Sequence, residues 1–379
     1  MNASEATASA YLQDGVASPT ALAQALLTAC QQLLNRDLTS QSFTTDDFWV
    51  SPDLSMSASG SQSVINLSQT ARHMVYRHLW SDLNVKLIKD ESTIQLIVTP
   101  QPMKLNVSAM GRFIYRFLPY RRAVILDNMK RAYGARISAH QLIELAQAHY
   151  THLASLLVEL VSFRFMSLQE RALRVRVEGV PELTEAFHAG KGVIVLTGHF
   201  GNFEVSTVSG IEHFPQVKGR IHFLRRPIKP KWLSDFLTKR FNQAGFGVIG
   251  RRGSLDDIVT ILEKGDAIVF PFDQYARRPE GIEVPFFGVP AGTYKSLAVI
   301  SMATGAPVLP AASWREADGT HVLKFWPPLT PIVNDDVGQE IKLNTARYNQ
   351  ALEERVLEHP AQWWWVHRRW KNQRTVAPS

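Results

Sequence analysis

The spacing of hydrophobic and polar positions predicts two helices near the start of the chain. Apolar residues recur at helical spacing over residues 19–35 and again over 66–80. A polar, serine-rich stretch that ends at 57–62 separates them and predicts a flexible turn or linker. The first 18 residues are small and polar and carry no such periodicity, so we expect a disordered tail there.

A different periodicity follows the second of these helices. Apolar and polar residues alternate over 84–89 and 93–98, on either side of a short polar turn, and this spacing predicts a β-hairpin. Together with the preceding helices, the hairpin predicts a small α+β module over residues 1–104. The sequence of this module contains no residue pattern that indicates a chemistry.

Beyond residue 105 the pattern predicts a second, larger domain that extends to residue 379. A helical pattern covers residues 138–172, and short apolar runs then alternate with helical stretches. The predicted strands are residues 192–197, 219–224, 267–270, 308–312 and 321–325. This alternation predicts an α/β domain with a largely buried sheet.

The segment 110–131 at the start of this domain mixes aromatic and aliphatic residues with arginines and lysines. Such a segment can lie on a membrane surface, with its apolar side down and its cations on lipid phosphates. The alternative is a packed pair of helices, broken at Pro119, whose basic faces are solvated. The sequence leaves both interpretations open.

Composition narrows the possible compartments and partners. The 379 residues are 45% hydrophobic, yet no run of about 18 apolar residues is present, so we expect association with a membrane surface rather than a span. The single cysteine, Cys30, excludes an internal disulfide or a multi-cysteine metal site and favours the cytoplasm. A net charge of +7 and a pI near 9.5 favour anionic partners such as lipid headgroups or an acidic carrier protein.

The strongest candidate chemistry lies in residues 192–204, where an apolar run ends and His199 follows. Ligands of open α/β sheets bind beyond the carboxyl ends of the strands, which is where His199 is expected. Glu204, five residues later, can fold back onto the imidazole from the first turn of the next helix. A carboxylate on one ring nitrogen leaves the other nitrogen to accept a proton, so the pair suits general base catalysis.

Structural roles remain possible for both residues, because a histidine at a strand end often serves only as a hydrogen-bonding group. Glu204 can likewise interact with the dipole of its helix. Competing chemistries find less support, since the sequence contains no nucleophile elbow, zinc-protease motif or phosphate-binding glycine loop. We also find no nucleic-acid binding motif, and the histidines at 213 and 222 lack the spacing of metal ligands.

Residues from about 105 to 379 resemble the lipid A biosynthesis acyltransferase family, which belongs to the wider glycerolipid acyltransferase superfamily. Four ordered blocks carry the resemblance. They are HFGNFE at 199–204, FLRRP at 223–227, FDQ at 272–274 with VPFFG at 284–288 and AGT at 291–293, and HPAQWWWVHRRWK at 359–371. Members of that family usually begin with a membrane-spanning helix, whereas here a module of about a hundred residues precedes the resemblance.

The resemblance implies an αβα sandwich and an enzyme that transfers a fatty acyl group from an acyl carrier protein or coenzyme A thioester. The acceptor would be a hydroxyl of a glycolipid or similar amphiphile at the inner face of the plasma membrane. No metal or bound cofactor is needed. The same residues could instead hydrolyse a thioester or ester, or the fold could bind lipid without catalysis.

Residue roles follow from the resemblance and the chemistry together. His199 would be the base and Glu204 its orienting group, with Arg226 stabilising the oxyanion and Arg225 beside it. Asp273 would position the acceptor or anchor an arginine. The other residues expected to contact substrate are Asn202, Phe203, Arg240, Gln274, Phe287 and Thr293. The aromatic and basic cluster at 363–371 favours a lipid interface, with a C-terminal helix packed on the core as the alternative.

Overall fold

The computed structural model describes residues 6–11, 81–89, 93–102, 105–134, 137–225, 231–250 and 255–371, together with four helical positions between residues 25 and 32. The chain divides into two units. One comprises Met1–Lys104 with Ala135–Ile137, and the other comprises Leu105–Gly134 with Ser138–Ser379.

In the first unit, three antiparallel strands form a sheet in the order β1-β3-β2. They are β1 (Ala6–Tyr11), β2 (Ser81–Lys89) and β3 (Thr93–Pro102). The predicted hairpin is confirmed, and Leu87 lies opposite Leu96 in its register. The predicted disordered tail is wrong over β1, because its residues pair with the free edge of β3. Most of the predicted helix at 19–35, the turn at 57–62 and the helix at 66–80 lie outside the described residues.

The second unit is a mixed α/β domain whose helices and strands alternate along the chain. Its helices are α1 (Ala109–Phe117), α2 (Arg122–Tyr133), α3 (Ala139–Ser162), α4 (Leu168–Leu173), α5 (Val180–His188), α6 (Phe203–Gly210), α7 (Lys231–Gln243), α8 (Leu255–Glu263), α9 (Ser296–Thr304) and α10 (Val337–Glu358). Its strands are β4 (Val175–Glu178), β5 (Val193–Thr197), β6 (Ile221–Arg225), β7 (Gly247–Gly250), β8 (Ala267–Pro271), β9 (Gly281–Phe286), β10 (Val289–Tyr294), β11 (Val308–Arg315) and β12 (His321–Phe325).

Seven of these strands form one sheet in the order β4-β12-β11-β5-β8-β6-β7. Only the β11–β12 pair is antiparallel within it, and the other neighbours are parallel. The central strands β5 and β8 are continuous apolar runs that are buried along almost their whole length, as expected for a parallel sheet covered on both faces. The α/β prediction is therefore confirmed, while the αβα sandwich stays a prediction.

The five predicted strands are all present, but the sequence pattern missed four others. β4 and β7 have only four residues each and lie at the two edges of the sheet, so their apolar patterns are too short to detect. β9 and β10 form a separate antiparallel hairpin outside the large sheet. Their sequences carry Pro and Gly, which weaken a strand signal.

The segment 110–131 forms the helix pair α1 and α2, with the break at Pro119. α1 packs closely on α3, because a Cβ at Gly111 would lie 2.0 Å from Oγ1 of Thr151. Several apolar side chains of the segment nevertheless remain half or more exposed: Met110, Phe113, Phe117, Leu118 and Tyr120. Among the helices that the structure describes, none is long and apolar enough to cross a membrane.

Candidate functional site

His199 lies in the turn that joins the carboxyl end of β5 to α6. The C-terminal segment holds the backbone of this turn from the other side. The N–H of Trp364 donates to the carbonyl of His199 at 3.0 Å, and the N–H of Gly201 donates to the carbonyl of Gln362 at 2.9 Å. Gly201 has a φ of 53° and packs on β11, where a Cβ would approach the Ser313 carbonyl to 2.5 Å. A side chain at this position would therefore displace the turn.

Asp273 orients the imidazole of His199 from the carboxyl end of β8, the strand that pairs with β5. Its Oδ1 lies 2.9 Å from Nδ1 of His199, and its Oδ2 accepts the backbone N–H of the same residue at 2.7 Å. The indole N–H of Trp363 also donates to Oδ2, at 3.0 Å. The first of these hydrogen bonds holds the imidazole, with Nδ1–H as the donor to the carboxylate, and the other two fix Asp273 to the His199 backbone and to Trp363.

The Asp273 carboxylate is fully buried but stays ionised. Burial alone raises the pKa of this group, but the charge and hydrogen bonds of His199, with a further contribution from His367, hold the pKa well below its usual value. A buried negative charge beside Nδ1 stabilises the imidazolium that forms when the other nitrogen, Nε2, accepts a proton.

A second histidine, His367, packs edge-on against His199, with 5.3 Å between the ring centroids. Burial is the main reason why the pKa of His367 falls to about 4, and the neighbouring charge of Asp273 only partly opposes it. His367 is therefore neutral at neutral pH. Its backbone carbonyl accepts from the side-chain amide of Asn128, which ties the C-terminal segment to α2.

Glu204 occupies the first turn of α6, as the sequence predicted, and is half-buried. The prediction that Glu204 orients His199 is wrong, because the carboxylate on Nδ1 of His199 is that of Asp273. Glu204 lines the same groove as His199 and interacts electrostatically with Arg240. Burial lowers the pKa of the Arg240 guanidinium, and the charge of Glu204 opposes that shift.

His199 separates an apolar cavity from an open groove and lines both. The cavity extends from His199 between the sheet and α6 and is lined mainly by apolar side chains. Its far walls are Phe214, Phe246, Leu323 and Phe325. The groove is wider, about 1600 Å³ including open solvent, and is bounded by Leu156, Leu157, Leu160, Glu204, Gln274, Trp364 and His367.

Asn202 and Phe203, both predicted to bind substrate, lie beside His199. Phe203 packs edge-on against the His199 ring at 5.6 Å between centroids and lines both the cavity and the groove. Asn202 lines the groove and caps α6, because its Oδ1 accepts the N–H of Val205 at 3.2 Å. Its amide donates to Oε2 of Glu159 on α3 at 2.9 Å. Asn202 therefore has a structural role whether or not it contacts substrate.

The other predicted site residues occupy four different places in the chain. Arg226 lies outside the described residues, and Arg225 is the last residue of β6. Gln274 follows Asp273 and lines the groove. Phe287 and Thr293 are buried near the β9–β10 hairpin, where Phe287 donates its N–H to Glu353 at 2.7 Å.

Thr293 belongs to a buried network around Arg369, which we call the Arg369 cluster. The guanidinium donates to the Gly292 carbonyl and to Oγ1 of Thr293, both at 2.7 Å, and to Oδ1 of Asn349 at 3.2 Å. Thr293, Asn349 and Arg369 are all fully buried. Thr293 therefore belongs to the packed core. The prediction that it lines a substrate pocket is wrong.

The predicted lipid interface at 363–371 is wrong for most of its aromatic residues. Trp363, Trp365 and Trp370 are buried, and the segment is an irregular strap rather than a helix. Phe200 forms an isolated β-bridge with Trp363, so the strap packs directly on the His199 turn. An alternation of aromatic and basic residues is typical of a membrane surface. In this protein the alternating segment is largely buried and supports the site.

Sequence reasoning did not find the roles of Trp363, His367, Glu159 and Gln362. Each lies far from His199 along the chain, and no spacing rule connects them. The only signal in the sequence is the tryptophan-rich composition of 363–371. This composition is common to a buried strap and a lipid interface, so it does not decide between them.

Comparisons with known proteins show the family of the chain. The sequence profile of the bacterial lipid A biosynthesis acyltransferases matches residues 93–372, well over half of the chain. The Escherichia coli (strain K12) lipid A biosynthesis palmitoleoyltransferase is 27% identical over 285 residues, covering 72% of this chain and 85% of the relative. The lauroyltransferase of the same strain is 21% identical over 290 residues, covering 75% and 90%.

A relative from outside lipid A synthesis matches as well. The phosphatidylinositol mannoside acyltransferase of Mycobacterium tuberculosis (strain ATCC 25618 / H37Rv) is 24% identical over 220 residues, covering 55% of this chain and 65% of the relative. The shared feature of these relatives is acyl transfer to a glycolipid. The chain thus belongs to the bacterial lipid A biosynthesis acyltransferase family and is an enzyme that transfers acyl groups.

Proposed function

We propose that the protein transfers a fatty acyl group from a thioester to a hydroxyl of a glycolipid at a membrane surface, with His199 as the general base. The observation that carries the proposal is the His199–Asp273 pair at the junction of an apolar cavity and an open groove. This pair provides a base but no nucleophilic side chain of its own, so the attacking oxygen belongs to the acceptor.

The reaction follows from the hydrogen bonding of the imidazole. With Nδ1–H donated to Asp273, the Nε2 lone pair takes the proton of the acceptor hydroxyl as its oxygen bonds to the thioester carbonyl carbon. The carbonyl oxygen then carries the negative charge, and Arg226 remains our candidate to stabilise it, with Arg225 beside it. When the C–S bond breaks, the imidazolium protonates the departing thiolate and the base is restored.

The two spaces beside His199 suit the two parts of the donor. The cavity walls are almost entirely aromatic and aliphatic, so we assign the hydrocarbon chain to the cavity. The thioester carbonyl then lies at His199, and the carrier portion leaves through the groove. The carrier is either an acyl carrier protein or coenzyme A, and no metal or bound cofactor enters the reaction.

The acceptor enters from the membrane side of the groove. The groove rim includes Leu157, which is 68% exposed, and α3 continues with Val158, Val161 and the nearby Phe165 as exposed apolar residues. The relatives are named for acylation of lipid A and of phosphatidylinositol mannoside, so a glycolipid acceptor fits the family. We place the enzyme on the inner face of the plasma membrane, with α1 and α3 toward the lipid.

The test is a product analysis with a radiolabelled acyl thioester and a bacterial membrane lipid extract. The parent protein is compared with His199→Ala and with His188→Ala, a matched control in which an exposed histidine at the end of α5 is replaced. The lipid fraction and the free fatty acid are counted separately, and mass spectrometry identifies the labelled lipid.

We expect label in a glycolipid with the parent and with His188→Ala, and a loss of roughly two to four orders of magnitude in rate with His199→Ala. Label that appears only as free fatty acid, whether or not lipid extract is present, would show hydrolysis instead. Lipid binding without turnover in the parent would show a noncatalytic protein.

A further inference from the structure

A second polar pocket lies next to the site on the segment that follows Asp273 and Gln274. It is formed by the loop after β8, the β9–β10 hairpin and the C-terminal strap, and we call it the arginine pocket. Its charged lining residues are Arg277, Arg278, Lys371 and Glu283. The volume is about 960 Å³, part of it open to solvent. The loop begins at the carboxyl end of β8, which is the end of the sheet where His199 lies.

The floor of the pocket is backbone and is fixed in place. The N–H of Ala276 donates to the Gly292 carbonyl at 3.0 Å, and the N–H of Gly281 donates to the Arg277 carbonyl at 2.9 Å. A Cβ at Gly292 would approach the Ala276 carbonyl oxygen to 2.3 Å, and one at Gly281 would approach it to 2.6 Å. The two glycines therefore allow the loop to lie directly on the hairpin, and the buried Arg369 holds the Gly292 carbonyl from below.

Among the residues that the structure describes, the cations of this pocket have no carboxylate partner. Within the described part of the chain, no ion pair or hydrogen bond involves the charged groups of Arg277, Arg278 or Lys371, and all three residues are exposed. The exposed Arg176, by contrast, pairs with Glu178 and Glu316. Glu283 is the one carboxylate among the lining residues, so three positive charges face one negative charge.

Such a pocket has the chemistry of a phosphate site. Guanidinium groups bind phosphate oxygens through paired N–H donors, and a concave surface with excess positive charge concentrates anions. We propose that the arginine pocket binds a phosphate group of one of the two substrates during acyl transfer. This inference rests on the proposed function, because both kinds of substrate can carry phosphate there.

Two sources of phosphate are possible, and they share this chemistry. Coenzyme A and acyl carrier proteins carry the thioester on a phosphopantetheine arm, and a glycolipid acceptor can carry phosphate on its sugar headgroup. Either group would lie on the arginine pocket while the reacting atoms lie at His199. The pocket would then raise affinity and leave the chemical step to the His199–Asp273 pair.

The experiment compares the double variant Arg277→Gln/Arg278→Gln with a matched control, Lys191→Gln/Lys264→Gln. Both lysines of the control are exposed and lie just before β5 and β8, at the opposite end of the sheet from His199. Steady-state transfer is measured with acyl-coenzyme A and with the acyl thioester of N-acetylcysteamine, which lacks phosphate. Each donor is tested with a phosphorylated glycolipid and with its dephosphorylated form.

We expect the arginine variant to raise one KM by roughly ten- to a hundred-fold while kcat changes little, because charged hydrogen bonds to the substrate are lost. A rise in KM for acyl-coenzyme A but not for the N-acetylcysteamine thioester identifies the donor phosphate. A rise for the phosphorylated acceptor with both donors identifies the headgroup. KM values that stay within about two-fold for every substrate pair, or that rise equally in the lysine control, would overturn the proposal.

A binding measurement separates this inference from the proposed function. Isothermal titration calorimetry uses coenzyme A and, separately, glucose 1-phosphate with the parent and both double variants. Binding of either probe that the arginine variant alone loses supports the pocket even if the parent transfers no acyl group. If neither probe binds and no KM changes, the pocket does not recognise phosphate, whatever the parent's activity.

Discussion

Two clusters of polar side chains in the α/β domain hold a buried charge, and only one of them faces a cavity. In the first, the buried Asp273 carboxylate binds the imidazole of His199, whose side chain is 25% exposed. In the second, the buried Arg369 guanidinium binds Thr293 and Asn349, and all three are fully buried. The C-terminal strap contributes to both, with Trp363 in the first and Arg369 in the second.

The difference between the clusters is access to solvent and substrate. Both contain the residue types of an active site, and His199, Asp273, Thr293 and Arg369 come from blocks that resemble the acyltransferase family. The hydrogen bonds of the Arg369 cluster join β10, α10 and the strap, so they contribute to the stability of the fold. The His199 cluster keeps one ring beside a groove and a cavity, so its buried charge can act on a substrate.

In the first cluster, replacing His199 should change the rate of transfer far more than the stability of the fold. We expect His199→Ala to lower kcat by roughly two to four orders of magnitude, because the general base is lost. The free energy of unfolding should fall by only about 1–3 kcal/mol, since Asp273 keeps two of its three hydrogen bonds. Denaturant unfolding and single-turnover transfer measure the two quantities. Unchanged kcat would show that His199 has a structural role.

The converse result is expected for the second cluster. Arg369→Met should lower the free energy of unfolding by about 3–5 kcal/mol, because it leaves the buried acceptors on Gly292, Thr293 and Asn349 without their donor. Transfer per folded molecule should change less than three-fold. Arg368→Met is the matched control, since that arginine is exposed, and it should leave stability unchanged. Equal effects of the two substitutions on stability would contradict the assignment.

Buried histidines beneath the site predict a dependence of stability on pH. Burial lowers the pKa of His149 to about 4, although a hydrogen bond to the Ala361 carbonyl opposes this shift. As the pH falls from about 6.5 toward 4, the unfolded chain binds a proton that folded His149 does not. Stability is therefore lost over that range.

For His149 alone, this loss should be about 2–3 kcal/mol between pH 7 and pH 4.5. His149→Gln should show a correspondingly smaller loss, whereas His188→Gln, at an exposed position, should keep the parent's dependence. Chemical denaturation at the two pH values provides the measurement. Parallel curves for the parent and His149→Gln would exclude His149 as a source of the dependence.

A smaller effect on kcat is expected from Glu159, which holds the His199 turn through Asn202. Glu159 accepts from Asn202 at 2.9 Å and pairs with Arg315 at 2.5 Å, so it fixes the start of α6. Glu159→Gln should lower kcat about ten-fold with little change in KM, because a small displacement of the turn affects the reaction more than binding. Glu185→Gln, on the exposed side of α5, is the control. A change in KM alone would indicate that Glu159 acts on substrate binding.

The sequence predicted the parts of the structure that depend on local patterns. Long apolar runs such as β5 and β8 were correctly identified, and so was the position of His199 at a strand end. The short edge strands β4 and β7 were missed, because four residues carry too little periodicity.

The partner of His199 was not predictable from spacing. Glu204 is near in sequence, but the carboxylate on Nδ1 is Asp273, 74 residues further along the chain. The two meet because β5 and β8 pair in parallel register, with Thr197 opposite Pro271. The prediction of a lipid interface at the strap is wrong for a related reason. A segment rich in tryptophan and arginine has the same composition whether it is buried or lies at an interface. Only tertiary packing distinguishes these cases.

We infer that Asp273 acts on the reaction through His199, and a double-mutant cycle measures this coupling. Single-turnover transfer is measured for the parent, His199→Ala, Asp273→Asn and the double variant, each shown to be folded by its circular dichroism. We expect Asp273→Asn to lower the rate by roughly two to three orders of magnitude in the parent and by less than three-fold when His199 is already absent. Losses that multiply in the double variant would show that Asp273 acts independently of His199.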